Sequence, residues 1–339
     1  MMEKSIWLSY SALGCSWETE SVAAGMGING GKMKTDRRLN NAYKNADIVY
    51  FDDNSKYIFF SDIHRGDDSI SDEFTRNQNV FLHALNYYYK EGYEYIEVGD
   101  GDELWEYKNF SVIRLAHSDV FTVIKKFYDE DRFIMLYGNH NIYLKSKRFI
   151  KANYYQYYDE YNQIRVDLYR GLKPKEAIIL KHKKTKQKIF VLHGHQGDVI
   201  NDQLWFISML LLRYFWRYLH IVGFGNPTSP ARNLFKRHKV EKVYDRWIEK
   251  HKMMLICGHT HRPKFPKADD LPYFNTGCCI RTRGINGIEI VNGKIQMVDW
   301  RIAANEKGEL RVHRTVVRGP IPLENYDYKN NPYSTHYNN

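Results

Sequence analysis

Five short apolar runs recur along the chain, and each ends in acidic, amide or imidazole side chains. They are YIFFSDIH from Tyr57, YIEVGDGDE from Tyr95, FIMLYGNH from Phe133, KIFVLHGHQGD from Lys188 and MMLICGHTH from Met253. Runs of this length, rich in β-branched and aromatic residues, predict strands buried on both faces. Between the first three lie helical patterns over 72–91 and 110–128, so the order β-α-β-α-β predicts an α/β fold with a largely parallel sheet. Ligands of such sheets bind beyond the carboxyl ends of the strands, and that is where the polar residues of all five runs fall.

After His261 the pattern changes. YFNTGCCI, GIEIVNGKIQMVDWRI and LRVHRTVVR alternate, and Asn292-Gly293 is a hairpin turn, which predicts a second, antiparallel-leaning sheet. Two insertions interrupt the strands. Residues 141–190 are Tyr-rich and carry thirteen Lys/Arg against four Asp/Glu, ending in a hairpin that turns at KKTK. Residues 198–252 read as mostly helical, with a Gly/Asn/Pro loop at 223–230 and a second helical segment around 235–250. Both are expected to form a cap beside the site on a domain spanning 33–318. Residues 1–32 read either as a translated ribosome-binding tract ahead of a true start at Met33 or as a flexible extension, and 319–339 as a polar tail ordered only in part.

With 339 residues and a hydrophobic fraction of 43% the chain can bury a full core. Its formal charge of +10 points to an anionic partner: nucleic acid, a phosphorylated metabolite or a lipid surface. Cys15, Cys257, Cys278 and Cys279 form no CxxC pair, which fits a reducing compartment, and with no secretory signal pattern a cytoplasmic chain is expected. The segment from Leu204 to Phe224 comes nearest to a membrane span but contains Arg213, Arg217 and His220. On a helix these share one side while Trp205, Met209, Leu212, Trp216 and Leu219 share the other, so it reads as an amphipathic helix that could line an acyl groove or rest on a membrane surface.

The strand ends collect Asp62 and His64, Asp100 and Glu103, Asn139 and His140, His193 and His195, and His259 and His261. Any one DxH or GNH arises easily by chance, and a histidine on an apolar strand is usually a satisfied core residue. All five together, in order and each at a strand end, are a metal site in composition. Carboxylate, imidazole and amide ligands without thiolate suit Mn²⁺ first, with Fe or Zn²⁺ as alternatives. The inventory exceeds what one catalytic zinc takes, so two divalent metal ions are expected.

SDIH, GDGDE, GNHN, HGH and GHTH in this order resemble the signature of the calcineurin-like metallophosphoesterase superfamily over about 56–301. The resemblance implies an αββα sandwich, here with a helical and basic cap insertion, and two metals at the strand ends. It places Asp62, His64 and His261 on the first metal, Asn139, His193 and His259 on the second, and Asp100 between them. It favours His193 over His195 as the ligand, and gives His140 the role of proton donor to the leaving group, oriented by Glu103 where relatives carry Asp. Arg65, Arg262 and His195 are candidates for contact with the substrate. GDGDELW together with GHTHRP is closest to the branch containing UDP-2,3-diacylglucosamine pyrophosphohydrolases.

The function expected is hydrolysis of a phosphoester or pyrophosphate by a metal-activated hydroxide, on a phosphate-containing substrate that is lipid-linked or nucleotide-linked. Peripheral membrane or lipid contact through Leu204 to Phe224 accompanies that reading. The alternatives are a nuclease or nucleic-acid-binding phosphodiesterase, suggested by the Tyr-rich basic insertion, and a non-catalytic scaffold on the same fold. The scaffold is disfavoured because every ligand position is filled.

Overall fold

The computed structural model describes residues 28–198, 201–202, 205–216, 234–268 and 270–327. Most of the expected N-terminal extension, Leu204 and 217–224 of the amphipathic segment, the loop at 223–230 and the end of the tail lie outside the described residues. Along the chain the strands are β1 (Asp47–Phe51), β2 (Tyr57–Phe60), β3 (Glu94–Val98), β4 (Phe133–Leu136), β5 (Gln156–Asp159), β6 (Ile164–Asp167) and β7 (Ala177–His182). They continue with β8 (Lys188–Leu192), β9 (Met254–Cys257), β10 (Tyr273–Asn275), β11 (Ile285–Val291), β12 (Lys294–Ala304) and β13 (Leu310–Pro322). One sheet has the order β13-β12-β11-β2-β3-β4, a second β1-β7-β8-β9-β10, and β5 and β6 form a separate hairpin.

Alternation along the strands creates the layers. Tyr57 and Phe59 of β2 face the second sheet, meeting Ile178, Leu180, Ile189, Val191, Met254 and Ile256 in one buried apolar cluster. Ile58 and Phe60 face the other way, against α2 (Gln78–Lys90) and α4 (Ser118–Asp129), which offer Phe81, Leu85, Ile124 and Phe127. The second sheet behaves likewise: Ile179, Phe190, Leu192 and Leu255 turn outward under α1 (Ile28–Lys44) and α7 (Leu234–His251). The fold is therefore helix, sheet, sheet, helix. Each strand buried on both faces supplies two layers of core, which is why the five runs read as almost continuously apolar.

Four features differ from the sequence reading. First, β11 to β13 are no separate sheet: β11 pairs antiparallel with β2 (Ile288 opposite Phe59) and extends the first one. The second sheet is instead built on β7, β8 and β9, so the five strand ends are divided between two sheets. Second, 177–192 belong to the sandwich and not to a cap, because β7 is hydrogen-bonded between β1 and β8. Third, α7 packs under the second sheet through Val243, Tyr244, Trp247 and Ile248. Fourth, the helical pattern over 110–128 breaks into α3 (Phe110–Ala116) and α4 at His117. The His117 ring is held between Gln78 Oε1 and Asp72 Oδ2, each at 2.8 Å, and the backbone bends to deliver it there. The basic insertion carries α5 (Lys147–Asn153), and of its tyrosines Tyr154 and Tyr169 are core residues, while Tyr158 and Tyr161 are exposed. Among the described residues no helix is long and apolar enough to cross a membrane.

The inter-sheet cluster should dominate stability. Phe59→Ala, in the middle of it, is expected to cost about 3–5 kcal/mol. Urea unfolding followed by circular dichroism checks this, and a loss below about 1 kcal/mol would mean the two sheets are not packed through Phe59.

Candidate metal centre

The loops after the strands bring the polar ends together through the backbone. The loop after β2 zips onto the loop after β3: Asp62 N–H donates to Gly99 O at 3.1 Å, His64 N–H to Asp100 O at 2.9 Å and Arg65 N–H to Gly101 O at 2.9 Å. Within the second sheet Gly258 N–H donates to His193 O at 2.9 Å, and Cys279 N–H, in the segment after β10, donates to Asp62 O at 3.1 Å. Asp62, His64 and Asp100 each sit at φ 51°, His259 at 67° and His261 at 55°. Non-glycine residues avoid this region, and such strain concentrates where a site requires it. Gly99 leaves room for the His193 ring, which a Cβ there would strike at 2.6 Å.

Among the described residues three groups of donor atoms converge; one, His64, Glu103 and His140, sets two imidazoles on one carboxylate, and the other two draw on both sheets. In the first of these two, Asp62, His64 and His261 converge. His261 Nε2 is 3.0 Å from Asp62 Oδ1 and 3.3 Å from His64 Nε2. His64 Nδ1 faces Glu103 Oε2 at 2.6 Å, so its proton sits on Nδ1 and the Nε2 lone pair faces the cluster. In the second, Asp100, His193 and His259 converge. His193 Nδ1 donates to Val98 O at 2.9 Å, leaving Nε2 to face Asp100 Oδ2, also at 2.9 Å. Asn139 is buried beside them, and its Oδ1 has no hydrogen-bond partner among the described residues. Imidazole lone pairs and carboxylate oxygens aimed at one another repel unless a proton or cation lies between them, so the donor set fits divalent metals. Without metal, burial opposes the charge of Asp62, but His261 and His193 outweigh it and bring its pKa to about 2. Asp100, buried as well, is held well below the carboxylate range by His193 and His140.

His140 stands at the edge of this centre. Its N–H donates to Asp100 Oδ1 at 2.8 Å, and its Nδ1 lies 2.8 Å from Glu103 Oε1. One carboxylate thus holds both His64 and His140. Burial disfavours the imidazolium, yet Glu103 and Asp100 prevail and raise the His140 pKa to about 9. Trp105 stacks on the ring, centroids 4.2 Å apart and planes 24° from parallel. Behind Trp105 lies α6 (Trp205–Leu211), where Met209 and, just beyond it, Leu212 complete the wall. Arg213, placed by the sequence on the polar side of an amphipathic helix, donates to Trp105 O at 2.6 Å and Leu104 O at 2.9 Å, because the loop carbonyls lie within its reach. Solvent meets Phe206, Ile207, Leu210, Leu211 and Tyr214.

The three candidates for substrate contact separate. Arg65 is fully buried, its guanidinium forked onto both Glu97 oxygens at 2.8 Å and its Nε 2.7 Å from Asp102 Oδ1, so it cannot reach a substrate and serves the core. His195 is also buried, 5.6 Å from His193 between ring centroids, and faces no open surface. Arg262 is exposed. Sequence reasoning passed over three contacts: Asp198 Oδ2 lies 3.4 Å from His259 Nε2, Trp105 covers His140, and the Cys278 side chain meets His261. Asp198 closes the HGHQGD run and could have been included on that ground, whereas nothing in the sequence marks Trp105 or Cys278.

The calcineurin-like phosphoesterase family model matches residues 55–263. No curated protein matches the chain. Among solved structures, a predicted phosphoesterase from Streptococcus pneumoniae is 11% identical, with 77% of this chain and 97% of that one covered at a TM-score of 0.33. A cold-active protein-tyrosine phosphatase of a psychrophilic Shewanella is 13% identical, covering 78% and 82% at 0.37. A protein serine/threonine phosphatase from Saccharomyces cerevisiae is 13% identical, covering 86% and 92% at 0.33. Likeness at this level says nothing about substrate.

The electrostatics of His140 can be checked without metal. In chelator-treated protein, an NMR titration should place the His140 imidazole pKa near 9, and Glu103→Gln should lower it. Because the folded pKa lies above the unfolded value of about 6.5, the stability this group contributes is complete below that value and lost as pH rises through about 9. A His140 that titrates near 6.5 in both proteins would show that Glu103 does not hold it.

Proposed function

Because the chain belongs to the calcineurin-like phosphoesterase family, it is a metal-dependent phosphoester hydrolase, and we propose that it works through two divalent cations on a phosphate-bearing substrate. The observation that supports this reading most is the pair of donor clusters, one on Asp62, His64 and His261 and one on Asp100, His193 and His259. In this reading Asn139 joins the second cluster through its unpartnered Oδ1. Asp100, a carboxylate with two oxygens, would be the residue shared between the two ions. Mn²⁺ is the first choice and Fe or Zn²⁺ the alternatives, from the predominance of oxygen and nitrogen donors. Such ions, when bound, polarise phosphoryl oxygens and lower the pKa of coordinated water.

The residues of the chain do the rest. Glu103 fixes Nδ1 of His140, so Nε2 is the atom left to hold and release a proton towards a departing alkoxide. Trp105 excludes water from one face of the ring and favours its cationic form. The catalytic unit is proposed as one domain over 33–318, its cap reduced to the residues beside β4 and to α6. The exposed apolar side chains of α6, one layer behind Trp105, support a lipid-linked substrate or lipid contact nearby. GDGDELW and GHTHRP support the same direction through their likeness to the diacylglucosamine pyrophosphohydrolase branch.

Reconstituted protein should hold two metal equivalents by elemental analysis, and Asp100→Asn should lose metal and turnover together. A wild-type content of one equivalent would overturn the dinuclear reading. A screen against aryl and alkyl monoesters, a diester, a pyrophosphate and an acylated substrate tests the substrate class. In that screen His140→Ala should keep its metals and lose about 10²–10⁴-fold in rate on an alkyl phosphate, with a smaller loss on an aryl phosphate whose leaving group needs no acid. Equal loss on both would remove His140 as proton donor.

A further inference from the structure

A second basic site opens beside the first donor cluster. Arg262 follows His261 directly, and Arg281 lies three residues beyond Cys278, whose side chain meets the same histidine. Both arginines line a cavity of about 660 Å³ that includes none of the residues of the donor clusters. Its far wall is formed by β12 and β13 where their register is irregular: the ladder shifts on either side of Met297, which stands opposite Arg318. Irregularities of this kind re-aim side chains, and here Met297 and Arg318 both line the cavity.

The charges in this groove do not cancel. Four of its lining residues are Arg or Lys and two are Asp or Glu. Asp299 is matched to Arg281, whose Nη1 lies 3.2 Å from Asp299 Oδ1. Asn286 braces the pair: its Nδ2 donates to Asp299 Oδ1 at 2.9 Å and its Oδ1 accepts from Arg281. Even with Glu241 set against Lys264, Arg262 and Arg318 remain, and neither has an ion-pair partner among the described residues. Arg318 spends one N–H on Val317 O at 2.9 Å and keeps the others. Guanidinium groups with free donors, one of them braced, match the oxygens of a phosphate. Phe265 and Val317 add an apolar wall. The volume suits a small ligand, which pockets of about 300–1,000 Å³ typically hold.

We propose that this groove holds a second, non-scissile phosphoryl group of the substrate, so that the chain acts on molecules carrying at least two phosphates. The phosphate that is cleaved lies at the donor clusters and the other lies on Arg262 and Arg318. The proposal rests on the hydrolase reading above and names its substrate class. The ligand chemistry is a phosphate dianion, supplied either by a diphosphate linkage in a small molecule or by the neighbouring phosphate of a short oligonucleotide.

The test uses the full chain. Chelator-treated protein is titrated calorimetrically with inorganic pyrophosphate and with orthophosphate, for the wild type, Arg318→Glu and Arg318→Lys. Arg318 is exposed, so these changes should leave Tm unaltered. Both anions should bind the metal-free groove, and the affinity for each should fall by about tenfold in Arg318→Glu, recover in part in Arg318→Lys and weaken with salt. Unchanged affinity for both anions in Arg318→Glu overturns the proposal. In metal-loaded protein, the ratio of KM for a nucleoside diphosphate to KM for an aryl monophosphate should rise about tenfold in the same variant. A rise seen only with a short oligonucleotide assigns the second phosphate to that source, and no rise with either substrate overturns the proposal. If every phosphate substrate is inert in wild type, the hydrolase reading fails, and the binding measurement still decides the groove.

Discussion

The two sheets pack face to face, and the site exists because they do. Asp62, Asp100 and Asn139 leave strands of one sheet, whereas His193 and His259 leave strands of the other. Neither of the two clusters around Asp62 and Asp100 is complete within a single sheet: Asp62 and His64 need His261, and Asp100 needs His193 and His259. The apolar cluster of Phe59, Val98, Ile189, Val191 and Ile256 therefore fixes the separation and relative position of the ligands as well as the stability of the fold. A slip of one residue in any of these strands would exchange its inward and outward faces and carry its polar end away from the centre.

Placing so many charged groups in a dry centre is costly unless each has a partner. The structure meets this in two ways. Away from the donor clusters, partners are permanent: Arg65 answers Glu97 and Asp102, and Tyr154 donates to Asp102 at 2.7 Å. Within the clusters the metal-free partners are other members of the cluster, imidazole nitrogens set against carboxylate oxygens. Left-handed backbone at Asp62, His64, Asp100, His259 and His261 turns these side chains inward. Left-handed backbone at five positions and carboxylates held below their ordinary range by the facing histidines accompany a donor set that fits cations.

Glu103 ties the first donor cluster to His140, since its two oxygens take His64 and His140. Trp105, two residues on, covers His140 on one face, and its carbonyl receives Arg213 from the segment that carries α6. The amphipathic segment is thereby anchored to the loop that bears the proposed acid. Its apolar side is partly used against Trp105 and partly left to solvent.

Much of this was legible in the sequence. Five apolar runs, broken in mid-strand only by Glu97, read as strands buried on both sides whose closing residues meet at the carboxyl ends, and the candidate ligand types followed from side-chain chemistry alone. The hairpins at KKTK and Asn292-Gly293 followed from turn residues with a known backbone requirement. What the sequence could not decide was which strands share a sheet, because apolar alternation gives each strand two faces but names no neighbour. For the same reason β7 was mistaken for part of a cap, and β11 to β13 for a sheet of their own. Arg65 shows the limit most clearly: next to a DxH motif, an arginine on the surface and one sealed under the core have the same local sequence. Only the positions of Glu97 and Asp102, 32 and 37 residues away, made it a buried counter-charge. Long-range pairing of charge and of strands is a property of the packed chain, and there the tertiary structure decided.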